Sequence, residues 1–441
     1  MFRNFFFFSS LLLLTTPVFA QQRLGLHFLR NAWHSNETNP AIVRDKGGVF
    51  RLPGLYNGLY FNGPSYNQLV TRVDGEPVID MNTAINYLQD ENIITDNFVL
   101  QTIGFAVPVK KHLVLSFGHS VKYNGFFKFP KELAQVAYQG NAQFIGQTVD
   151  IGNEIQVSGF HSLDLGAAYK LKEWTFGVKA KFMSGFVDIS TDPNHRSVNL
   201  YTDPDIYQIS LEGDYVLNTS NALDYRSYDD FDFDLNFGTF TADRFFDGNN
   251  GWAFDLGIHY ETDKWDFALS GINLSKGINW KTRVTNYSIQ DSYEYNGLDF
   301  SAALTGGDSP DLDATLDSLE AVFDPERSEI AYISKIPRQF YLSGMYKATE
   351  KWRVGAVYFN EEFRGFTRNV VGLHTNYDLA KWFNLGMTYS ASEGSYDNLG
   401  MSGMLQGKSF QLFAITDNII DLVNPTKGNA FAIRLGGNLF F

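Results

Sequence analysis

The sequence predicts an all-β fold, a transmembrane antiparallel β-barrel of about 14 strands with short loop helices. Three patterns point to it. The first is strict alternation: Trp174, Phe176, Val178, Ala180 and Phe182 share one face of a strand, and Thr175, Gly177, Lys179 and Lys181 share the other. The second is a recurring hairpin, seen in "LGAAYKLKEWTFGVKA", "LGIHYETDKWDFALSG", "LSGMYKATEKWRVGAV" and "VGLHTNYDLAKWFNLG". Each copy has a short polar turn beside Trp174, Trp265, Trp352 or Trp382, and "IGFAVPVKKHLVLSFG" is a fifth version with His112 in the Trp place. The third is an exchange of short turns with long polar connections at 124–160, 191–249 and 275–337. Bacterial barrels have short periplasmic turns and longer outer loops. A soluble sandwich would also hide one face of each strand. The Trp beside each short turn favours the barrel, because an indole at headgroup level keeps its ring in hydrocarbon and its N–H wet.

Composition agrees. Aromatics make up 16% of the 441 residues, with 40 Phe, 23 Tyr and 39 Gly, which favours strands and tight turns. The net charge of −14 argues against a nucleic-acid partner, which would call for a clustered basic surface. With no Cys there is neither a disulfide framework nor thiolate chemistry.

Taken in order, residues 1–20, "MFRNFFFFSSLLLLTTPVFA", read as a signal peptide cleaved after Ala20: one early Arg, an apolar core, then Val18-Phe19-Ala20. Residues 21–46 form a periplasmic or plug segment, and 47–441 the outer-membrane barrel. Wall strands are expected near 47–63, 97–108, 112–123, 160–171, 174–190, 251–261, 265–274, 338–347, 352–361, 366–378, 382–391, 398–405, 408–416 and 430–441. "DDFDFDLNF", 229–237, alternates as well; it stands above the membrane or joins an extra pair, which would make about 16. "MNTAINYLQDEN", "KELAQVAY" and "DLDATLDSLEAVF", 311–323, have the look of small loop helices or partner-binding helices. The last strand sets Phe431, Ile433, Leu435, Leu439 and Phe441 against Arg434, Gly436 and Asn438. Its residues Arg434, Gly436, Leu439 and Phe441 match the signal by which barrel assembly machinery recognises a closing strand.

Little chemistry looks catalytic, and no catalytic residue, metal site or cofactor is assigned. Gly407-Lys408-Ser409 fits a barrel turn better than a phosphate loop. His119-Ser120 and His161-Ser162 are strand neighbours that point to opposite faces. Asp229, Asp230, Asp232 and Asp234 alternate with Phe231 and Phe233, which favours an amphipathic strand over a calcium site. Four Trp, 174, 265, 352 and 382, form an interfacial belt. Asp164, Lys170, Lys179, Lys181, Asp255, His259, Arg353, Arg434 and Asn438 would point into the lumen, and their mixed signs favour an interior crossed by ion pairs over a wide pore.

Asn39-Pro40-Ala41, "FRLPGLYNGLYFNG" at 50–63, Gly140-Asn141, "LDLGAAYKL", "FGVKAKFMSG", "FDLGIHY" and "FQLFAITDNIIDLVNP" together resemble the Bacteroidota outer-membrane proteins of domain-of-unknown-function family 5723. That family is similar in plan to the PorP/SprF barrels of the type IX secretion system and, more distantly, to long-chain fatty acid transporters. The resemblance implies the same fold and location and carries over no binding residues. The expected function is a non-enzymatic accessory or binding component of a surface or secretion assembly, with outer-membrane lipid and a surface or secretion protein as partners. The alternative is a transporter or channel for a small or hydrophobic solute.

Overall fold

A computed structural model describes residues 24–44, 47–73, 76–226, 231–233, 248–295, 325–392 and 395–424, with 426, 428 and 430–441. Residues 1–20, expected to be a signal peptide, and the 311–323 stretch lie outside these residues, as does most of 229–237.

Fourteen strands close into one ring. They are β1 (Val49–Arg51 and Gly54–Phe61, joined through Leu52-Pro53), β2 (Glu91–Lys110), β3 (Leu113–Pro130), β4 (Glu154–Leu171) and β5 (Trp174–Thr202). β6 (Asn250–Glu261), β7 (Trp265–Ser275), β8 (Arg338–Lys347), β9 (Trp352–Phe363) and β10 (Phe366–Ala380) follow. β11 (Phe383–Ser392), β12 (Ser395–Gln406), β13 (Phe410–Thr416) and β14 (Ala430–Phe440) complete the ring. Each pairs antiparallel with the next, and β14 pairs back onto β1 with Leu55 opposite Leu435. Closure leaves the ring without a free edge strand, except for a short lapse between β12 and β14.

All fourteen expected crossings are present, and their faces follow the alternation. Phe176, Val178, Leu256, Leu342, Leu373 and Leu435 look outward and exposed, whereas Lys179, Lys181, Asp255 and Arg434 are buried inside. Register places Trp174 opposite Tyr260 at one rim and Phe182 opposite Trp252 eight residues higher. At about 2.5 Å of height per tilted residue, the apolar band between these aromatic rims is roughly 20 Å tall.

Several strands run much further than the expected ~11 residues per crossing. β5 has 29 residues and β2 has 20. Above the apolar band the upper part of β5 pairs with Ile209–Ser220, which also pairs with Val284–Ile289 and Ser292–Tyr295. Much of the expected loops at 124–160, 191–249 and 275–337 is therefore sheet, because strand pairing needs no lipid to persist. Helices α1 (Leu24–Phe28), α2 (Met81–Tyr87), α3 (Lys131–Gln139) and α4 (Ile419–Val423) are short. α2 is capped by Asp80, which accepts from the Thr83 amide at 3.1 Å. Phe231–Phe233 pairs with Leu223–Tyr225 as a separate small sheet.

Candidate functional site

The candidate site is the lumen, occupied by residues 24–44. A five-residue helix has no stability alone in water. α1 holds because all five of its residues are buried, each apolar one contributing roughly 1.5–3 kcal/mol. Leu24 and Phe28 pack among Ile272, Tyr341, Met345, Val357, Phe359 and Val370 on the inner wall. Leu26, Leu29 and Ala32 pack among Met404, Phe413 and Ile415. The inner wall under α1 is thus mainly apolar, with a few polar points: His27 Nε2 lies 2.8 Å from Ser343 Oγ, and Phe28 stacks on the His374 ring at 4.3 Å.

Beyond α1 polar contacts dominate. Gly177 and Gly257 face each other across β5 and β6. A Cβ on Gly177 would stand 2.3 Å from the Pro40 carbonyl carbon and the Ala41 nitrogen, and one on Gly257 2.0 Å from Asn39 Oδ1. The two glycines form a seat for Asn39-Pro40-Ala41, where Asn39 Nδ2 donates to the carbonyls of Ile258 (3.1 Å) and Leu269 (3.2 Å).

The residues expected in the lumen are the ones that tie this segment down or line its surroundings. Lys179 Nζ donates to the Asn36 carbonyl at 3.0 Å. Arg434 Nη1 lies 3.0 Å from Glu37 Oε2, and Arg51 approaches the other oxygen at 3.6 Å. His259 and Arg30 share Asp266 Oδ1 at 3.2 and 3.3 Å. Lys181 pairs with Asp255 at 2.7 Å in the wall. Asp164 accepts from Ser162 Oγ at 2.5 Å and lines a small cleft with Lys179, Glu37 and Arg51. Asn438 donates to Gln411, which donates to the Asn31 carbonyl. Arg353 pairs with Asp378 at 2.6 Å, on β9 and β10. Lys170 is half-buried beside the β4–β5 turn.

The belt Trp174, Trp265, Trp352 and Trp382 are all exposed on the outer face at the short-turn rim. Trp174 leans on Tyr260 and Trp265 on Tyr346, with ring centroids 4.6 and 4.8 Å apart. Of the residues expected to mark the closing strand, Gly436 sits against Phe413 and His34, while Leu439 and Phe441 are exposed. Phe441 and Gly48 exchange backbone hydrogen bonds of 2.7 and 3.1 Å. Gly407-Lys408-Ser409 makes the β12–β13 turn. His119 and His161 do meet, Nε2 to Nδ1 at 3.1 Å. Among the described residues no group of three or more His, Asp or Glu is placed to hold a metal.

The wall itself has a lapse. β13 stops at Thr416, so its pairing with β12 ends at Met401 and its pairing with β14 ends at Arg434. Among the described residues, Ser395–Gly400 and Ala430–Ile433 have no strand partner on the sides that face each other. The chain turns inward there, and Asp417 Oδ1 accepts from the Gly25 amide at 2.8 Å. Asn418 Nδ2 donates to Asn398 (3.2 Å) and to Asp421 (2.8 Å), and the Ala430 amide donates to Asp421 (3.3 Å). Side chains thus bridge what strands do not.

Because their segments carry no periodicity, sequence reasoning assigned no site role to Arg30, Glu37, Asn39 or Asp417; Asn39 and the Asp417 segment entered only as part of the resemblance. A family of unknown function, DUF5723, matches residues 40–417, most of the barrel with its glycine seats. The chain belongs to DUF5723. No curated protein matches it significantly. Among solved structures, a deltaS2S3 mutant of the TodX monoaromatic hydrocarbon channel aligns at TM-score 0.45 and 11% identity, over 97% of this chain and 96% of that one. The Pseudomonas putida toluene transporter TodX aligns at 0.42 and 11%, over 97% and 94%. A Pseudomonas aeruginosa FadL homologue aligns at 0.41 and 9%, over 92% of each. Likeness of this degree carries no substrate across to the DUF5723 chain.

Proposed function

We propose that this DUF5723 protein is a non-enzymatic outer-membrane channel for a small hydrophobic solute, held closed by residues 24–44 as a plug. The outer location is supported by the apolar outer band between two aromatic rims on a closed ring of strands. One observation carries the channel reading. The apolar inner surfaces are occupied by α1, and α1 lies beside the lapse in the wall, through the Asp417–Gly25 contact. Withdrawal of α1 would free an apolar site of about its own size next to that lapse. A concave apolar site with a few polar groups around it is the usual form of a small-molecule site. The sequence alone ranked an accessory role first; the apolar lining under α1, which no sequence pattern reveals, reverses that order.

Deleting residues 24–44 from the mature chain tests this. The intact protein should give little steady current in planar bilayers, and the deletion should raise uptake of an apolar fluorescent probe in cells. A heat-modifiable, folded deletion with background uptake would sink the reading. If the deletion does not fold, Arg30→Ala with Glu37→Ala loosens the plug and serves the same test. The accessory reading keeps one observation of its own. Ile206 and Tyr207 are exposed at the tip of the long β5 hairpin, and Tyr207 has a left-handed φ of 57°. Tyr207→Ser should abolish capture of a surface partner and leave probe uptake alone if that reading holds.

A further inference from the structure

The β9–β10 hairpin ends in a two-residue turn, Arg364-Gly365, with φ of 52° and 78°. Turns of this kind take Asn, Asp or Gly at the first position, so an arginine there is strained. Arg364 is also not solvated. Its side chain is 4% exposed although it sits at a hairpin tip on the long-connection end of the barrel. Nε donates to Glu154 Oε1 at 2.6 Å, Nη1 to Gln156 Oε1 at 2.9 Å, and Nη2 to the Thr191 carbonyl at 2.5 Å. Glu154 is equally buried and also pairs with Arg196.

These partners are on the far side of the ring. Glu154 and Gln156 belong to β4 and Thr191 to β5, whereas the hairpin rises from β9 and β10. Phe363 meets Phe126 of β3 edge-on at 5.4 Å and packs on Ile93 of β2. Arg368 lies 4.3 Å over the Tyr60 ring of β1. One hairpin therefore leans across the mouth and reaches five strands opposite it.

We propose that this hairpin is a lid over the outer mouth, latched by the Arg364–Glu154 ion pair. The purpose of the lid rests on the channel reading; its closure does not. A buried ion pair holds only in good geometry, and a hairpin that either packs against this rim or lifts from it gives two discrete states.

The chain contains no Cys, which permits a clean accessibility test. Ser190, 2% exposed, is opposite Gln156 in the sheet and next to Thr191, two of the residues that hold Arg364. A Ser190→Cys variant in intact cells is treated with a membrane-impermeant maleimide. Labelling should be slow, and Arg364→Ala or Glu154→Gln in that background should speed it by at least about tenfold, in proportion to the shifted population of the open state. Arg338→Ala, which removes an exposed pair with Glu362 at the same hairpin, should leave the rate unchanged. Heat-modifiable migration confirms folding of each variant. Equal slow labelling in folded latch variants overturns the lid, as does fast labelling of Ser190→Cys alone or a matching rise in Arg338→Ala. Labelling that follows the latch while probe uptake stays at background even without residues 24–44 would sink the channel reading and leave the lid standing.

Discussion

Asp255 and Lys181 show how single residues hold this barrel. The pair lies 2.7 Å apart with side chains 0% and 5% exposed, and Asp255 also accepts from the Asn273 amide. Removing one member of such a pair leaves a buried charge alone. Asp255→Leu should therefore lower stability by about 3–5 kcal/mol, while Asp255→Leu with Lys181→Met should recover most of it. Denaturant unfolding of the three proteins checks this, and equal loss in single and double variants would reject it. A second pair behaves differently because water surrounds it. On the hairpin above the apolar band, His195 Nδ1 lies 2.7 Å from Asp214 Oδ1. The hydrogen bond to Asp214, with Asp192 adding charge, raises the His195 pKa above its ordinary 6.5, and His195 in turn lowers that of Asp214. A raised histidine stabilises the folded form below pH 6.5 and loses that contribution as pH rises through the folded value. Asp214→Asn should bring the His195 midpoint in an NMR titration down toward 6.5. An unmoved midpoint would remove Asp214 as the cause.

At the scale of strands, depth decides what a substitution does. Val178 and Leu256 are directly paired and lie midway between the Trp174–Tyr260 and Phe182–Trp252 rims. Val178→Arg and Leu256→Arg should each destabilise by about 2–4 kcal/mol in lipid, and Phe176→Arg, nearer the rim, by less. Lys179→Gln, one residue along and facing inward, should leave the wall folded and loosen only the Asn36 contact. Unfolding in vesicles reads the order, and equal costs on both faces would show the facing to be wrong. The facing was legible in sequence because lipid and lumen impose a period of two on Trp174–Phe182 and Trp252–Tyr260. Strand ends were not: from Asp188 to Thr202 the sheet leaves the lipid and loses its clean alternation, so β5 was expected over the 17 residues 174–190 where it has 29. Gly177 and Gly257 were visible as repeated glycines, but the chain that needs them, Asn39-Pro40-Ala41, is distant in sequence. Arg364 had no signal, since an arginine in a short outer turn reads as solvated.

For the whole molecule, the uneven wall should be measurable as uneven stability. Around most of the ring each strand is paired along its length on both sides, as β4 is with β3 and β5. Among the described residues, Ser395–Gly400 and Ala430–Ile433 are paired on one side only. Alternate amides of an antiparallel strand point to opposite sides, so about half of those in these two segments face the lapse. Their closure rests on Asn398, Asn418 and Asp421, side-chain bonds that open without breaking a strand ladder. Local opening follows the weakest set of contacts. Hydrogen exchange in detergent or nanodiscs should therefore run at least about tenfold faster in 395–400 and 430–433 than in 176–182. Asp421→Ala should widen that gap, because it removes the acceptor of both Asn418 and the Ala430 amide. Asp417→Ala should raise exchange in residues 24–28 as well, because the Gly25 amide loses its acceptor. Uniform protection around the ring, unchanged in Asp421→Ala, would mean that the lapse is as firmly closed as the paired wall and that α1 has no way out beside it.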